Sequence, residues 1–177
     1  MAEEKKPGDL NTVHIPDVLP IISLINVVVF PKMIFPLEVF EERSIALVDE
    51  AMAKDRLMGL VLSEKNPSDV EAKCPAKPED VGTCVVILKM AKESDNRAQL
   101  LVQGISRIKI IEFVEGKPYL QARVQVIEDA DIKDIEVEAL MANLVSLFDR
   151  VVKLSPFLPQ EYGMMAKSIT EAGTLAD

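Results

Sequence analysis

Histidine and cysteine are nearly absent: the 177 residues hold one of the first and two of the second. That leaves almost nothing from which to build a transition-metal site. His14 stands in a polar N-terminal stretch, and Cys74 and Cys84 form no C-x-x-C pair. A disulfide between them is one alternative, and reduced thiols of a cytosolic protein are the plainer one. Cys84 lies in an apolar run and reads as a small core residue, whereas Cys74 lies among Lys, Pro and Glu and reads as exposed. Neither reads as a nucleophile, because no histidine base accompanies it.

Phosphate-binding chemistry is missing as well. No glycine is followed by Lys and then Ser or Thr, so no nucleotide-hydrolysing loop can be placed. Positive charge is scarce, with 20 basic against 29 acidic residues and a formal charge of -9. Such a field repels nucleic acid and anionic lipid. The basic residues Arg97, Arg107, Lys109, Lys117 and Arg123 gather around expected hairpins, yet aromatics are only 5% and none is interleaved with them. Long apolar runs are lacking too, since residues 21–30 are broken by Ser23 and Asn26 and are too short for a bilayer. The N-terminus has no basic start and no clean apolar stretch of a secretory signal. The expectation is a soluble, cytoplasmic protein without membrane or nucleic-acid partners. Lys167-Ser168 is no Ser-Lys dyad, because adjacent helical residues point in different directions. No catalytic, metal or cofactor residue rises above background.

What is present is ordinary globular material, 49% hydrophobic and 28% charged. The length suits one domain, or one with an appendage. Residues 1–17 are polar and read as a flexible tail. From Leu19 the character changes. Leu19-Pro-Ile-Ile-Ser-Leu begins a strand, and Asn26-Val-Val-Val-Phe is expected to continue as a buried β-branched run ended by Pro31. The span between Pro31 and Pro36 reads as an edge strand or loop, because proline removes ladder donors. A helix is expected over residues 41–53, with Ile45, Val48 and Met52 on one face. Residues 57–62 read as a strand and 64–80 as a surface loop.

Three further strands follow, near residues 82–90, 99–111 and 119–126, with turns at Glu93-Ser-Asp-Asn-Arg and Glu115-Gly-Lys-Pro. Gly104 marks an expected bulge. Short strands and tight turns predict a closed or partly closed antiparallel sheet. Near Asp129 the period becomes helical. Asp131 and Asp134 offer caps, and residues 132–154 carry a stripe of Val137, Leu140, Met141, Leu144, Phe148 and Val151, widened by Val145, Leu147 and Val152. Ser155-Pro156 stops that helix. Pro159 opens another, with Tyr162, Met165, Ile169, Ala172 and Leu175 on its apolar face. The chain ends there without a cap, which reads as a cut inside a helical region. The expected organisation is a tail over 1–17, a β lobe over 18–128 and a helical lobe starting at 129–177.

These blocks carry a family likeness. Leu19-Pro-Ile-Ile-Ser-Leu-Ile-Asn-Val-Val-Val-Phe-Pro-Lys-Met-Ile-Phe-Pro-Leu resembles the opening of the N-terminal domain of the Lon family of ATP-dependent proteases. The likeness continues through Arg43-Ser44-Ile45, Val81-Gly82-Thr83 and the block from Leu101 to Ile108. Three positions depart: the family usually has an Arg-Asp pair where Ile25-Asn26 stands, and often a small residue at Phe40. The resemblance implies an α+β fold, with a PUA-like antiparallel β-barrel lobe carrying one helix and then an α-helical lobe. It implies substrate recognition and assembly into a homo-hexamer with other subunits of the same protease. The parent's ATP, Mg²⁺, AAA+ ATPase and serine endopeptidase would lie beyond Asp177, and this chain would hold no cofactor.

A receptor for misfolded or unfolded protein needs exposed apolar surface with a polar rim. Met33, Ile34, Phe35 and Phe40 are the candidates, with Glu42 and Arg43 as rim charges. The plainer alternative for Met33, Ile34 and Phe35 is ordinary barrel core. Two other functions stay open: an assembly element acting through residues 137–152, and a stand-alone PUA-like module for RNA or a small ligand.

Overall fold

Apolar runs punctuated by Gly, Pro and Asn become six strands and four helices among the described residues. In this computed structural model those residues are 13–63, 81–94, 97–128 and 134–177. The elements are β1 (Val18–Leu24), β2 (Ile34–Val39), α1 (Glu42–Ala53), β3 (Leu57–Leu62), β4 (Val81–Ser94), β5 (Arg97–Val114), β6 (Gln121–Ile127), α2 (Ile135–Leu154), α3 (Glu161–Ser168) and α4 (Ala172–Ala176). The chain divides into two compact units, Met1–Glu128 and Asp129–Asp177.

In the first unit the sheet order is β2-β5-β4-β3-β1-β6, and β6 pairs back onto β5. Five strands therefore close into a ring, and β2 hangs on β5 outside it. The long β5 makes this arrangement work. One edge of β5 follows β4, while the other serves β2 from Ala98 to Gln103 and β6 from Arg107 to Val114. The expected bulge sits at that changeover: Cys84 faces Ser106 and Val85 faces Gly104, so Ile105 is the extra residue. The pairing is not wholly antiparallel, because β1 and β3 run parallel. The helix α1 lies between them in sequence, and a helical crossover returns the chain in the same direction.

Two apolar clusters fill the unit. Ile22, Leu24 and Val29 meet α1 residues Ile45, Leu47 and Val48 and strand residues Leu60, Ile87 and Val102. On the other side Leu19, Ile21, Val61, Cys84, Ile108 and Val124 pack together. Cys84 is the expected small core residue, and burial pushes its thiol up to about 12. The chain is tied down earlier than expected, since Ile15 packs on the second cluster and the Asp17 carbonyl accepts the Val124 N–H at 2.8 Å. Cys74, the loop expected over 64–80, the tip of the turn after Ser94 and Asp131 lie outside the described residues.

The largest departure is the valine run. Residues 26–30 form no strand. Asn26 adopts φ 58 and Lys32 φ 66, so residues 25–33 leave the line of β1 and cross to β5 as a strap. Just before it Ser63 N–H donates to Leu24 O at 2.8 Å, and within it Thr83 Oγ1 donates to Val29 O at 2.6 Å. At the far end Lys32 N–H donates to Gly104 O and Gly104 N–H to Met33 O, each at 2.9 Å.

In the second unit Asp134 caps α2, its side chain accepting the Glu136 N–H, and the helix stops at Ser155 as expected. The helix expected from Pro159 to Leu175 is instead two. Ile169 is extended and Ser168 Oγ donates to Met165 O, so the Ser-Ile-Thr run ends α3. The buried residues of α3 are Gly163 and Ala166, not Tyr162 and Met165. Small side chains let α3 approach α2, where Lys167 pairs with Asp149 at 3.0 Å. On α2 Val152 is buried, and Leu140, Leu144, Leu147 and Val151 of the expected apolar stripe are exposed.

Candidate functional site

The strap and β2 together present apolar side chains to solvent. Along β2 the sides alternate: Leu37 and Val39 point into the first cluster, while Ile34, Pro36 and Glu38 face out. Phe35 points inward, is half-buried and packs on that cluster. Ile34 is 55% exposed, Met33 38% and Phe40 56%. For Met33 and Ile34 the alternative of ordinary core is thereby removed. Glu42 and Arg43 stand exposed on the first turn of α1, beyond Phe40 and Glu41 in sequence.

Phe40 is held in place rather than merely left out. The Arg97 guanidinium lies 5.3 Å from its ring centroid, in cation–π geometry. Arg97 also reaches Glu93 at 3.0 Å and Glu38 at 3.5 Å, and Gln99 bonds Glu93 at 2.8 Å. One ring face is thus covered by a fixed cation. Ile34 and Phe40 are six residues apart on an extended strand, so about 20 Å separates the two apolar ends. The surface is a stripe along β2, not a closed pocket.

The strap adds residues that were not among the expected contact residues. Ile25 is 38% and Val28 48% exposed. Beside Val28 lies a shallow concavity of about 170 Å³ walled by Leu24, Leu60, Leu62 and Val81. The one signal for them was Asn26 inside an apolar run, since Asn tolerates the left-handed conformation that turns the chain.

A second polar cluster ties α1 to the segment before β6. Glu50 accepts from Lys54 at 2.7 Å, from Lys117 at 3.1 Å and from the Tyr119 hydroxyl. The Lys54, Tyr119 and Lys117 donors hold its carboxyl down to about 2. Burial and the Glu50 carboxylate push the Tyr119 phenol up to about 12. The small cavity beside them, about 60 Å³, has room for little more than solvent. This cluster is a clamp. Of the basic residues around the hairpins, Arg97, Lys117 and Arg123 are each paired to a carboxylate. Lys167 pairs with Asp149 and Ser168 bonds its own helix, so they form no dyad. Among the described residues no cluster of His, Cys, Asp and Glu could hold a metal, and no helix is long and apolar enough to cross a membrane.

Comparison with known proteins places this geometry. The Lon protease of Syntrophus aciditrophicus is 56% identical over 179 residues, covering 100% of this chain and 23% of the relative. The Lon protease of Dictyoglomus thermophilum is 42% identical over 166 residues, covering 94% of this chain and 21% of the relative. The chain thus spans less than a quarter of the length of these relatives. Among solved structures, the N-terminal domain of the Mycobacterium avium complex Lon protease matches with a TM-score of 0.70 at 20% identity. That match covers 90% of this chain and 80% of the other, and at such identity it speaks for the fold. The family described as the ATP-dependent protease La (LON) substrate-binding domain matches residues 18–177. By that match over nearly its whole length, the chain belongs to the Lon substrate-binding domain family.

Proposed function

We propose that this chain is the substrate-recognition region of a Lon-type, ATP-dependent serine protease, non-catalytic by itself, which takes unfolded or misfolded polypeptide on the strap and β2. The observation that carries this is the outward-facing apolar stripe of Val28, Met33, Ile34 and Phe40 on a barrel whose core is otherwise filled. Such surface with a charged rim suits apolar stretches that folded proteins hide. Met33 adds a flexible side chain, which suits a receptor for many sequences. ATP and Mg²⁺ belong, on this reading, to the parent's ATPase module, in the cytoplasm. Ile34→Ser combined with Phe40→Ser is expected to weaken binding of a reduced, carboxymethylated test protein about tenfold, with the melting temperature little changed. Two apolar contacts of about 0.7 kcal/mol each would account for it. Unchanged affinity in the folded double variant would reject the surface.

Assembly with further copies is the second part of the reading. The exposed Leu140, Leu144, Leu147 and Val151 of α2 make an apolar face that a neighbouring subunit of a hexamer would cover. Sedimentation velocity of the chain at rising concentration checks it, with self-association lost in Leu144→Lys. A strict monomer removes assembly by this face alone. The paired Arg97, Lys117 and Arg123 speak against an RNA-binding module.

A further inference from the structure

We infer that the open edge of β2 receives an extended backbone segment of the client polypeptide as an added strand. Two backbone couples, at Ile34 and Glu38, hold it, and apolar contacts at Met33–Ile34 and at Phe40 flank it. This deepens the receptor reading and rests on it.

The argument starts from which backbone groups of β2 are spoken for. In an antiparallel pair, alternate residues exchange both hydrogen bonds with the partner, and those between them turn their groups away. Met33 belongs to the set that bonds β5, since its carbonyl accepts the Gly104 N–H at 2.9 Å. By alternation Phe35, Leu37 and Val39 bond β5, opposite Val102, Leu100 and Ala98. Ile34, Pro36 and Glu38 then direct their backbone groups to the other edge. Proline at 36 agrees, because it has no N–H to give β5.

On that edge no strand pairs with β2 among the described residues. It therefore offers the N–H and C=O of Ile34, the C=O of Pro36, and the N–H and C=O of Glu38. The two complete couples are about 13 Å apart. What matches alternating donors and acceptors at that spacing is another extended backbone, whatever its side chains. Such capture is indifferent to sequence, as a receptor of many unfolded chains requires. The stripe's shape agrees, with apolar side chains at both ends of the same edge and none gathered in a pocket.

Pro36 sets the strength. It removes the middle donor, so an added strand gains two couples rather than three, and a second copy of β2 cannot zip along the edge. Holding is short and reversible.

The test is amide hydrogen exchange by NMR on the chain, with and without a saturating capped octapeptide of alternating Val and Thr. Exchange at the Ile34 and Glu38 amides is expected to slow about tenfold, while Phe35, Leu37 and Val39, already bonded to β5, keep their rates. Pro36→Val, which restores a donor, is expected to tighten peptide binding about fivefold. A peptide that binds and leaves both amides unchanged overturns strand addition but leaves the receptor reading standing. Absence of any binding overturns both. Protection that appears without peptide and grows with protein concentration assigns the edge to a second copy instead, and overturns the proposal.

Discussion

Gly104→Val is expected to cost at least about 3 kcal/mol of folding stability, the largest loss among single substitutions at the surface described here. A Cβ at this position would fall 2.1 Å from the Phe30 carbonyl oxygen and 2.9 Å from its carbon. Both are backbone atoms of the strap, so no rotamer change relieves the clash. The strap cannot retreat without breaking the Lys32–Gly104 and Gly104–Met33 hydrogen bonds, each worth about 1 kcal/mol. Urea denaturation checks the figure through the midpoint at constant slope. A midpoint shift corresponding to less than about 1 kcal/mol would show that the strap is not seated on Gly104. The functional consequence follows from the same contact. Met33 is placed by its bond to Gly104, so Gly104→Ala, the milder variant, should disturb client binding even where the barrel stays folded.

How much of this was legible beforehand varies by element, for physical reasons. Pro31 and Pro36 marked an edge because a missing N–H is a local property of the residue, and β2 is at an edge. Gly104 marked the bulge because an interrupted alternation is visible in one strand. The valines at 27–29 misled, since β-branched residues report a preference for extended backbone and not the presence of a partner strand. Among the described residues no strand pairs with them, and the Thr83 hydroxyl holds the Val29 carbonyl instead. For the stripe, residue type narrowed the choice to Met33, Ile34, Phe35 and Phe40. The side of the strand separated Phe35 from Ile34 and Phe40, and Met33 is exposed because it sits at the end of the strap, before β2 begins. On α2 the period located an apolar face correctly but could not say what lies against it. Exposure depends on neighbours far along the chain, and Leu140 and Leu144 face solvent.

The second large effect lies in the core below the surface. Ile108 is fully buried in β5, and its side chain shares space with Gly59 of β3. A Cβ on Gly59 would lie 2.5 Å from Ile21 Cδ1 and 3.0 Å from Ile108 Cδ1. The glycine is therefore the hollow into which two isoleucines fit. Ile108→Ala should cost about 3 to 4 kcal/mol, the transfer term plus a cavity that the closed ring cannot collapse. Gly59→Ala alone should cost about 1 to 3 kcal/mol, because both methyls are hemmed in and neither can swing out to water. Combined, the two should cost at least about 1 kcal/mol less than their sum, since the added methyl occupies room that Ile108 has vacated. Rescue stays partial, as the contact with Ile21 persists. Chemical denaturation of the four proteins in the cycle measures the coupling, and strict additivity would mean that these side chains do not share one space. Because this pair lies in the second cluster, away from β2, the double variant should still bind unfolded protein below its melting point. Gly104→Val should not, and that contrast separates loss of the scaffold's stability from loss of the surface it carries.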